Sequence, residues 1–352
     1  MSKKVQILDT TLRDGSYSVN FSFTSSDTSI ICSKLEKSGI KLIEVGHGLG
    51  FNASNSGYGK STQSDEEYMI AAKESLSKSM YGMFCIPGIA KLSDLELAKK
   101  HGMGFIRVGT DVTKVHQSEK FIKKAKNLGF FVASNFMKSY VMPPDKFASI
   151  VKQSEEFGTD MVYIVDSAGG MFSSDLLEYY NSIRNVSEIP LGFHGHDNLG
   201  MAISNSLYAA DLGMEYIDSS LQGIGRSSGN ACTEVLVMAL KKKGFKIDVD
   251  FHSLFEAGQE CVYPLINNSN KLPLDIVSGY ADFHSSYMHH IMKYSSKFKV
   301  DPLLLIIEYS KINKIDIDEK KLEQIAKKLK RKQDIYTAKY RFNRYVGREQ
   351  DN

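Results

Sequence analysis

The 352-residue chain has no large charge excess, no long apolar run and no closely spaced cysteines. Its 44 basic residues against 41 acidic ones leave a formal charge of +3. That argues against a function resting on a broadly basic, nucleic-acid-binding surface. Cys32, Cys85, Cys232 and Cys261 are scattered, with neither Cys-x-x-Cys nor zinc-ligand spacing, and read as free thiols of a reducing compartment. No stretch reaches the roughly 18 consecutive apolar residues that suggest a membrane span. Met1–Thr10 carries two lysines, but its apolar stretch is too short for a signal-peptide core. The expectation is a cytoplasmic enzyme with no nucleic-acid or membrane partner. At 42% hydrophobic and 24% charged, the composition is that of a globular protein. The length allows two domains, or one large barrel with an appendage.

Short apolar, β-rich runs alternate with longer amphipathic ones. Strands are expected at Val5–Asp9, Ile40–Val45, Met80–Ile86, Phe105–Gly109, Phe130–Asn135, Met161–Asp166, Leu191–His196 and Tyr216–Leu221. Each is apolar enough to be buried on both faces. Helical patterns lie between them at Ser26–Ser38, Glu66–Lys78, Ser93–Lys100, Ser118–Leu128, Pro144–Phe157 and Leu199–Leu212. Ser93 with Glu96 reads as a capping box. Eight strand–helix units in about 260 residues is the arithmetic of a (β/α)8 TIM barrel. An open doubly wound sheet would advertise Gly-x-Gly-x-x-Gly after its first strand. Here that strand runs into the polar Asp9-Thr-Thr-Leu-Arg-Asp-Gly15. Beyond Lys271, helices are expected at Asp282–Phe298, Pro302–Ile312 and Asp318–Lys332, with Tyr336–Asn352 as a loose tail. The division is a catalytic barrel over 1–265 and a small helical C-terminal domain over 266–352 that contributes to the active site.

In such a barrel, chemistry sits at the C-terminal ends of the strands. His194 and His196, two apart on one strand, point to the same face and suit a metal. Asp14 and Asp9 are both candidates for a third, anionic ligand. Two imidazoles and a carboxylate leave positions open for a substrate with carboxylate and ketone oxygens, on a hard divalent cation such as Mg²⁺ or Mn²⁺. Arg13 offers a fixed positive charge with Glu44 as its partner, unless the two only close the top of the barrel. Gly223–Asn230 reads as a phosphate-cradling loop or as a tight turn.

Five segments carry a resemblance when taken in order: Leu8-Asp-Thr-Thr-Leu-Arg-Asp-Gly15, Ile43-Glu-Val-Gly-His-Gly48, Val165-Asp-Ser-Ala-Gly169, Phe193-His-Gly-His-Asp-Asn-Leu-Gly200 and Gly223-Ile-Gly-Arg-Ser-Ser-Gly-Asn-Ala231. They resemble the metal-dependent aldolases and acyl transferases called DRE-TIM metallolyases. With Gly279-Tyr-Ala-Asp-Phe-His-Ser-Ser-Tyr287, they point to the 4-hydroxy-2-oxovalerate aldolases within that superfamily. The resemblance implies Asp14, His194 and His196 as metal ligands, with Mn²⁺ expected ahead of Mg²⁺, Co²⁺ or Zn²⁺. It implies a pyruvyl group chelating the metal beside His194, its carboxylate touched by Ser167. Arg13, oriented by Glu44, would stabilise the enolate oxygen. Asn230 stands where some superfamily members place a further ligand, and is left open.

The chain departs from the family in a paired way. Three residues after the metal-binding aspartate the family has a catalytic histidine; here the residue is Tyr17. Where the family has its partner tyrosine, before a Ser-Ser pair, this chain has His284. Tyrosine, with a pKa of ~10, is a poor base at neutral pH, while histidine near ~6.5 is suited. His284 is therefore expected as the acid/base, supported by Tyr17. The tail also departs, with Ile312-Asn-Lys-Ile-Asp-Ile-Asp318 in place of Gly-Gly-Gln-Glu-Asp. In the family, that part of the chain lies beside an acylating aldehyde dehydrogenase. The expected partners are a 2-oxo acid and an aldehyde, a second copy of the chain, and, on the resemblance, that dehydrogenase. The alternatives are an acyl-CoA condensing enzyme of the isopropylmalate synthase type, and a non-catalytic barrel subunit of a complex. A 3-hydroxy-3-methylglutaryl-CoA lyase is disfavoured, because Gln222-Gly-Ile-Gly225 lacks that enzyme's loop cysteine.

Overall fold

The computed structural model describes residues 5–266 and 273–330. Eight parallel strands close into a barrel in chain order: β1 Gln6–Asp9, β2 Leu42–Val45, β3 Met80–Cys85, β4 Phe105–Asp111, β5 Phe131–Met137, β6 Met161–Asp166, β7 Leu191–Gly195 and β8 Tyr216–Ser219. Closure comes from β1 pairing β8, with Gln6 opposite Tyr216 and Asp9 opposite Ser219. The helices over the barrel are α1 Ser25–Ser38, α2 Asp65–Ser75, α3 Leu92–Lys100, α4 Glu119–Asn127, α5 Pro144–Phe157, α6 Ser173–Arg184, α7 Ala202–Leu212, α8 Thr233–Lys242 and α9 Phe251–Ala257. The (β/α)8 expectation holds, and no described helix is long and apolar enough to cross a membrane.

Side chains alternate along each strand, so every second residue faces the barrel axis. Leu8, Leu42, Phe105, Ala133, Met161 and Tyr163 form an apolar cluster of their own. Two residues further along three of these strands come Glu44, Arg107 and Asn135, and β8 adds Asp218, while Val165 on β6 still belongs to the apolar cluster. The interior is thus oil-like at the base and charged at the mouth. The residues between them, such as Ile43, Ile106, Val132 and Ile164, pack outward in the large cluster shared with the helices.

Several local expectations need correction. Helix α3 is not capped by Ser93, because the helix already begins at Leu92. The capping carboxylate is Asp94, which accepts the Lys91 N–H at 2.7 Å. The segment Asp282–Phe298 is not one helix. An unanticipated helix, α10 (Pro273–Ala281), ends before Asp282, whose φ of 51° breaks it. A 3-10 turn at Ser285–Tyr287 follows, and then α11 Met288–Phe298. Strand β7 stops at Gly195, so His196 lies just past its end, in a single bridge with Asn230. Helices α12 Pro302–Ser310 and α13 Glu319–Lys328 follow. Arg331, Lys332 and the expected tail Tyr336–Asn352 lie outside the described residues. The C-terminal helices have a separate apolar cluster built from Leu274, Met288, Ile291, Leu305, Ile306 and Leu322.

Candidate metal centre and active site

A cavity of about 500 Å³ opens at the C-terminal mouth, and Arg13, Asp14, Tyr17, His194, His196 and His284 all reach its wall. Arg13 directly precedes the 3-10 turn Asp14–Val19 after β1, and that turn carries Asp14 and Tyr17. The end of β7 supplies the two neighbouring histidines, and the loop before α11 brings in His284.

Asp14, His194 and His196 are all buried, and each offers a ligand atom within 4.8 Å of the others. Both imidazoles are already oriented by their Nδ1 atoms. That of His194 lies 2.8 Å from Asp218 Oδ2, and that of His196 lies 3.2 Å from the Gly229 carbonyl. A carboxylate and a carbonyl can only accept, so both protons sit on Nδ1 and both Nε2 lone pairs remain. Two nitrogens and one carboxylate oxygen fit a divalent cation. Burial alone would raise the Asp14 carboxyl. The Arg13 guanidinium, with the Asn230 N–H, overrides it and holds the group well below the usual range. Burial pushes His196 down to about 4, which keeps it neutral.

Asp9 is not part of this set. Leu8 faces the barrel interior, so alternation turns Asp9 the other way. There it accepts the Thr11 N–H at 2.9 Å and the Thr11 hydroxyl at 3.1 Å. Burial pushes its pKa up to about 7.

The charged groups form a continuous chain. Arg13 donates from Nη1 to Asp14 at 2.6 Å and from Nε to Glu44 at 2.7 Å. Its Nη2 bonds to no described residue. Glu44 also receives two bonds of 2.9 Å from Arg107. Arg107, fully buried, donates its Nη1 to the same Asp218 oxygen that orients His194. The run Asp14–Arg13–Glu44–Arg107–Asp218–His194 therefore begins and ends on candidate metal ligands, with acids and arginines alternating between them. Burial works against the Arg107 charge, but Asp218 and Glu44 outweigh it and raise its pKa well above the usual value.

Asn230 donates its Nδ2 to Asp14 Oδ2 at 2.8 Å and to the Ile224 carbonyl at 3.1 Å. It thus holds the aspartate through its nitrogen. The loop before it is a tight turn against the site. A Cβ on Gly225 would stand 2.7 Å from Asp14 Oδ2, so a larger residue would push the loop off the aspartate. Ser167 reaches the cavity and accepts the Lys138 N–H at 2.9 Å, which leaves its own hydroxyl proton available.

Tyr17 and His284 share the cavity, joined by a residue to which the sequence assigned no role. Arg226, from the glycine-rich loop, lies 4.9 Å over the Tyr17 ring. It donates to the Tyr17 hydroxyl at 3.2 Å and to Ser285 Oγ, next to His284, at 2.8 Å. The Tyr17 ring fits only because residue 48 is glycine, since a Cβ there would stand 2.2 Å from the ring. Burial, with the Arg226 and Lys138 cations, pushes His284 well below the usual histidine range and holds it neutral. Its Nδ1 lies 2.7 Å from Ser286 Oγ and 3.3 Å from the Ser286 N–H. The hydroxyl can take a proton from Nδ1, whereas the N–H can only give one. Ser286 therefore decides which ring nitrogen is left bare. Lys138 is a second site residue that no sequence motif marks. Buried and left-handed at φ 59°, it reaches the Ile315 carbonyl at 3.0 Å and the Tyr287 hydroxyl, tying the barrel mouth to the C-terminal helices.

Residues 4–261 match the HMGL-like family model. The chain is 36% identical over 330 residues to the 4-hydroxy-2-oxovalerate aldolase of Carboxydothermus hydrogenoformans, covering 94% of this chain and 98% of that one. It is 33% identical to the enzyme of the same name from Moorella thermoacetica, with the same coverage. Among solved structures, the carboxyl transferase domain of Rhizobium etli pyruvate carboxylase superimposes with a TM-score of 0.75 at 14% identity, covering 93% of this chain and 61% of that one. The HMG-CoA lyase of Bacillus subtilis superimposes with a TM-score of 0.60 at 18% identity, over 75% of this chain and 94% of that one. These two likenesses speak to the fold alone. The chain belongs to the HMGL-like family, and its sequence relatives there are carbon–carbon lyases named 4-hydroxy-2-oxovalerate aldolase.

Proposed function

We propose that the protein is a divalent-metal-dependent pyruvate aldolase, cleaving or forming a 4-hydroxy-2-oxo acid. The observation that carries this reading is the buried Asp14–His194–His196 set beside Arg13, in a chain whose sequence relatives bear that enzyme name. Asp14 and the two Nε2 atoms would hold the cation, with Mn²⁺ our expectation. When bound, it supplies Lewis-acid polarisation of the substrate's 2-oxo group.

In cleavage, a base removes the 4-hydroxyl proton and the C3–C4 bond breaks. Its electron pair passes through C3 and C2 to the 2-oxo oxygen, giving the aldehyde and the enolate of pyruvate. A proton returned to C3 then completes pyruvate. Arg13 offers its unbonded Nη2 to the oxygen on which charge develops, and Glu44 fixes the fork, so little reorganisation is needed as the charge appears. The Ser167 hydroxyl donates to the pyruvyl carboxylate. His284 is the base: with Nδ1–H turned onto Ser286 Oγ, the bare Nε2 accepts the 4-hydroxyl proton. Tyr17, held by Arg226, supports it by hydrogen bonding. The low basicity that burial imposes on His284 limits its pull on the proton, but it also favours the neutral form that a base needs.

Incubation with Mn²⁺ and pyruvate in D₂O, followed by NMR, tests the reading. Exchange at pyruvate C3 is expected, as is pyruvate release from 4-hydroxy-2-oxovalerate. Thiol release from acetyl-CoA and a 2-oxo acid, without C3 exchange, would replace the aldolase with a condensing enzyme. Metal binding with neither reaction would leave a non-catalytic barrel.

A further inference from the structure

We infer that the aldehyde taken by this site is a neutral, hydroxylated one of three or more carbons, of the short aldose class, and that Asn135 reads one of its hydroxyls. The inference rests on the proposed aldolase activity and concerns the half of the cavity that pyruvate does not need.

Size is the first argument. Even allowing each non-hydrogen atom the roughly 30 Å³ that a whole water molecule takes up in the liquid, pyruvate and a two-carbon aldehyde together fill little more than half of the cavity's 500 Å³ or so. The remaining space would stay wet with so small an acceptor, and a longer one fills it.

The second argument is the wall of that space. The metal ligands come from β7 and the turn after β1. Strands β4 and β5 face them across the barrel, and they bring Asp111 and Asn135 to the mouth. Asn135 follows Ala133 on the inward face of β5 and is only 3% exposed. Its side-chain amide makes no hydrogen bond to any described residue, and its oxygen is enclosed. An amide offers two N–H donors and an acceptor, which a substrate hydroxyl can match as both acceptor and donor. Leaving such a group unmatched in a buried wall is costly. Leu has the same reach and Met a slightly longer one, and an acceptor pocket meant for an alkyl aldehyde would carry one of those.

The third argument is charge. An anionic acceptor, phosphorylated or carboxylated, needs a cation to spare. Lys138 on this wall and Arg226, which reaches the cavity from the loop after β8, are both engaged. The Lys138 ammonium bonds Tyr287 and the Ile315 carbonyl and lies 3.5 Å from Asp111. Arg226 bonds Tyr17 and Ser285. Asp111 adds a negative charge that would repel an anion. Hydroxyls are recognised here without disturbing any of these pairs. The apolar Phe84, Ile86 and Ile89 on the same cavity suit the C–H faces of such a chain.

The test is an acceptor panel in the aldol direction, with wild-type protein, Mn²⁺ and pyruvate. Acetaldehyde, propanal, glyceraldehyde, erythrose and glyceraldehyde 3-phosphate are compared by kcat/KM. Glyceraldehyde or erythrose should exceed acetaldehyde and propanal by about tenfold or more, and should also exceed the phosphate ester. In Asn135→Leu, the ratio of glyceraldehyde to propanal should fall about tenfold to a hundredfold. Propanal or acetaldehyde leading the wild-type panel overturns the inference, as does the phosphate ester leading it. So does an unchanged ratio in Asn135→Leu. The wild-type panel is decisive even if that variant does not fold. Pyruvate C3 exchange in D₂O separates the two levels. Exchange with the wrong acceptor order defeats this inference alone, while absence of exchange defeats the aldolase reading and this inference with it.

Discussion

His194 and Asp218 share a 2.8 Å contact between Nδ1 and Oδ2, and the same Asp218 oxygen is held by Arg107. The carboxylate thus fixes the imidazole's tautomer while being fixed itself by the guanidinium. Burial would raise the Asp218 carboxyl, but Arg107 and His194 keep it lowered and ionised. Asp218→Asn keeps the shape and removes the charge. Metal affinity should drop about tenfold to a hundredfold, the usual effect of losing such a partner. Titration of the apoprotein with Mn²⁺ or Co²⁺ by calorimetry measures it. Unchanged affinity would show that Asp218 does not tune His194.

Arg107 stands between two buried carboxylates, Glu44 and Asp218. Arg107→Met fills most of its volume but leaves Asp218 without its cation and Glu44 with Arg13 alone. A loss of about 3–5 kcal/mol in stability is expected, read by urea unfolding of the metal-free protein. Arg107→Met with Asp218→Asn together should cost less than the sum of the two single changes, because the buried charge is removed along with its partner.

His284→Asn should slow cleavage of the 4-hydroxy-2-oxo acid by about a hundredfold to ten-thousandfold, with Tyr17→Phe losing less. If Tyr17→Phe abolishes pyruvate C3 exchange while His284→Asn keeps it, the roles are reversed. Ser286→Ala removes the hydroxyl that can take the Nδ1 proton. About a tenfold fall in kcat with little change in KM is expected, since the ring stays in place but the wrong nitrogen is bare.

Gly48→Ala puts a methyl group into the Tyr17 ring. Tyr17 must then leave its place, taking with it the surface on which Arg226 lies. The variant should fold, bind metal as the wild type does, and lose activity about as Tyr17→Phe does or worse. Normal activity would show that Tyr17 is dispensable.

Away from the site, Glu36 accepts backbone N–H groups from Ser77, Lys78 and Ser79, the shortest at 2.6 Å. Burial would raise its pKa, but these bonds bring it down to about 2. The folded pKa lies below the unfolded one, so the stabilisation is full above about pH 4.5. It is lost as pH falls toward 2. Glu36→Gln should therefore cost about 1 kcal/mol at pH 7, with the gap to wild type closing on acidification. Thermal unfolding at pH 7 and pH 3 provides the comparison.

Much of this molecule was legible in the residue order. Short apolar runs alternating with amphipathic ones marked all eight strands, because a strand buried on both faces needs nothing beyond its own composition to be recognised. The i, i+2 spacing of His194 and His196 put both rings on one side, and Arg13–Asp14 followed the first strand at once. Local signals failed where the chain competes with itself. Asp94 rather than Ser93 closes α3, and Asp282 and His284 break what the periodicity of 282–298 reads as one helix. Asp9 was as acidic as Asp14 and nearer the strand, and only the direction of its side chain removed it from the site.

The tertiary structure decided the pairings. Glu44, Arg107 and Asp218 are separated by 63 and 111 residues from one partner to the next, and nothing in the sequence says that they meet inside the barrel. Arg226 joining Tyr17 to Ser285, Lys138 joining β5 to the C-terminal helices, and Asn135 standing unmatched in the cavity wall are likewise facts of closure. A residue's type and spacing determine which face of its own strand or helix it occupies. Which charge neutralises it, and which space it borders, are set only when eight strands have curled far enough for the first to meet the last.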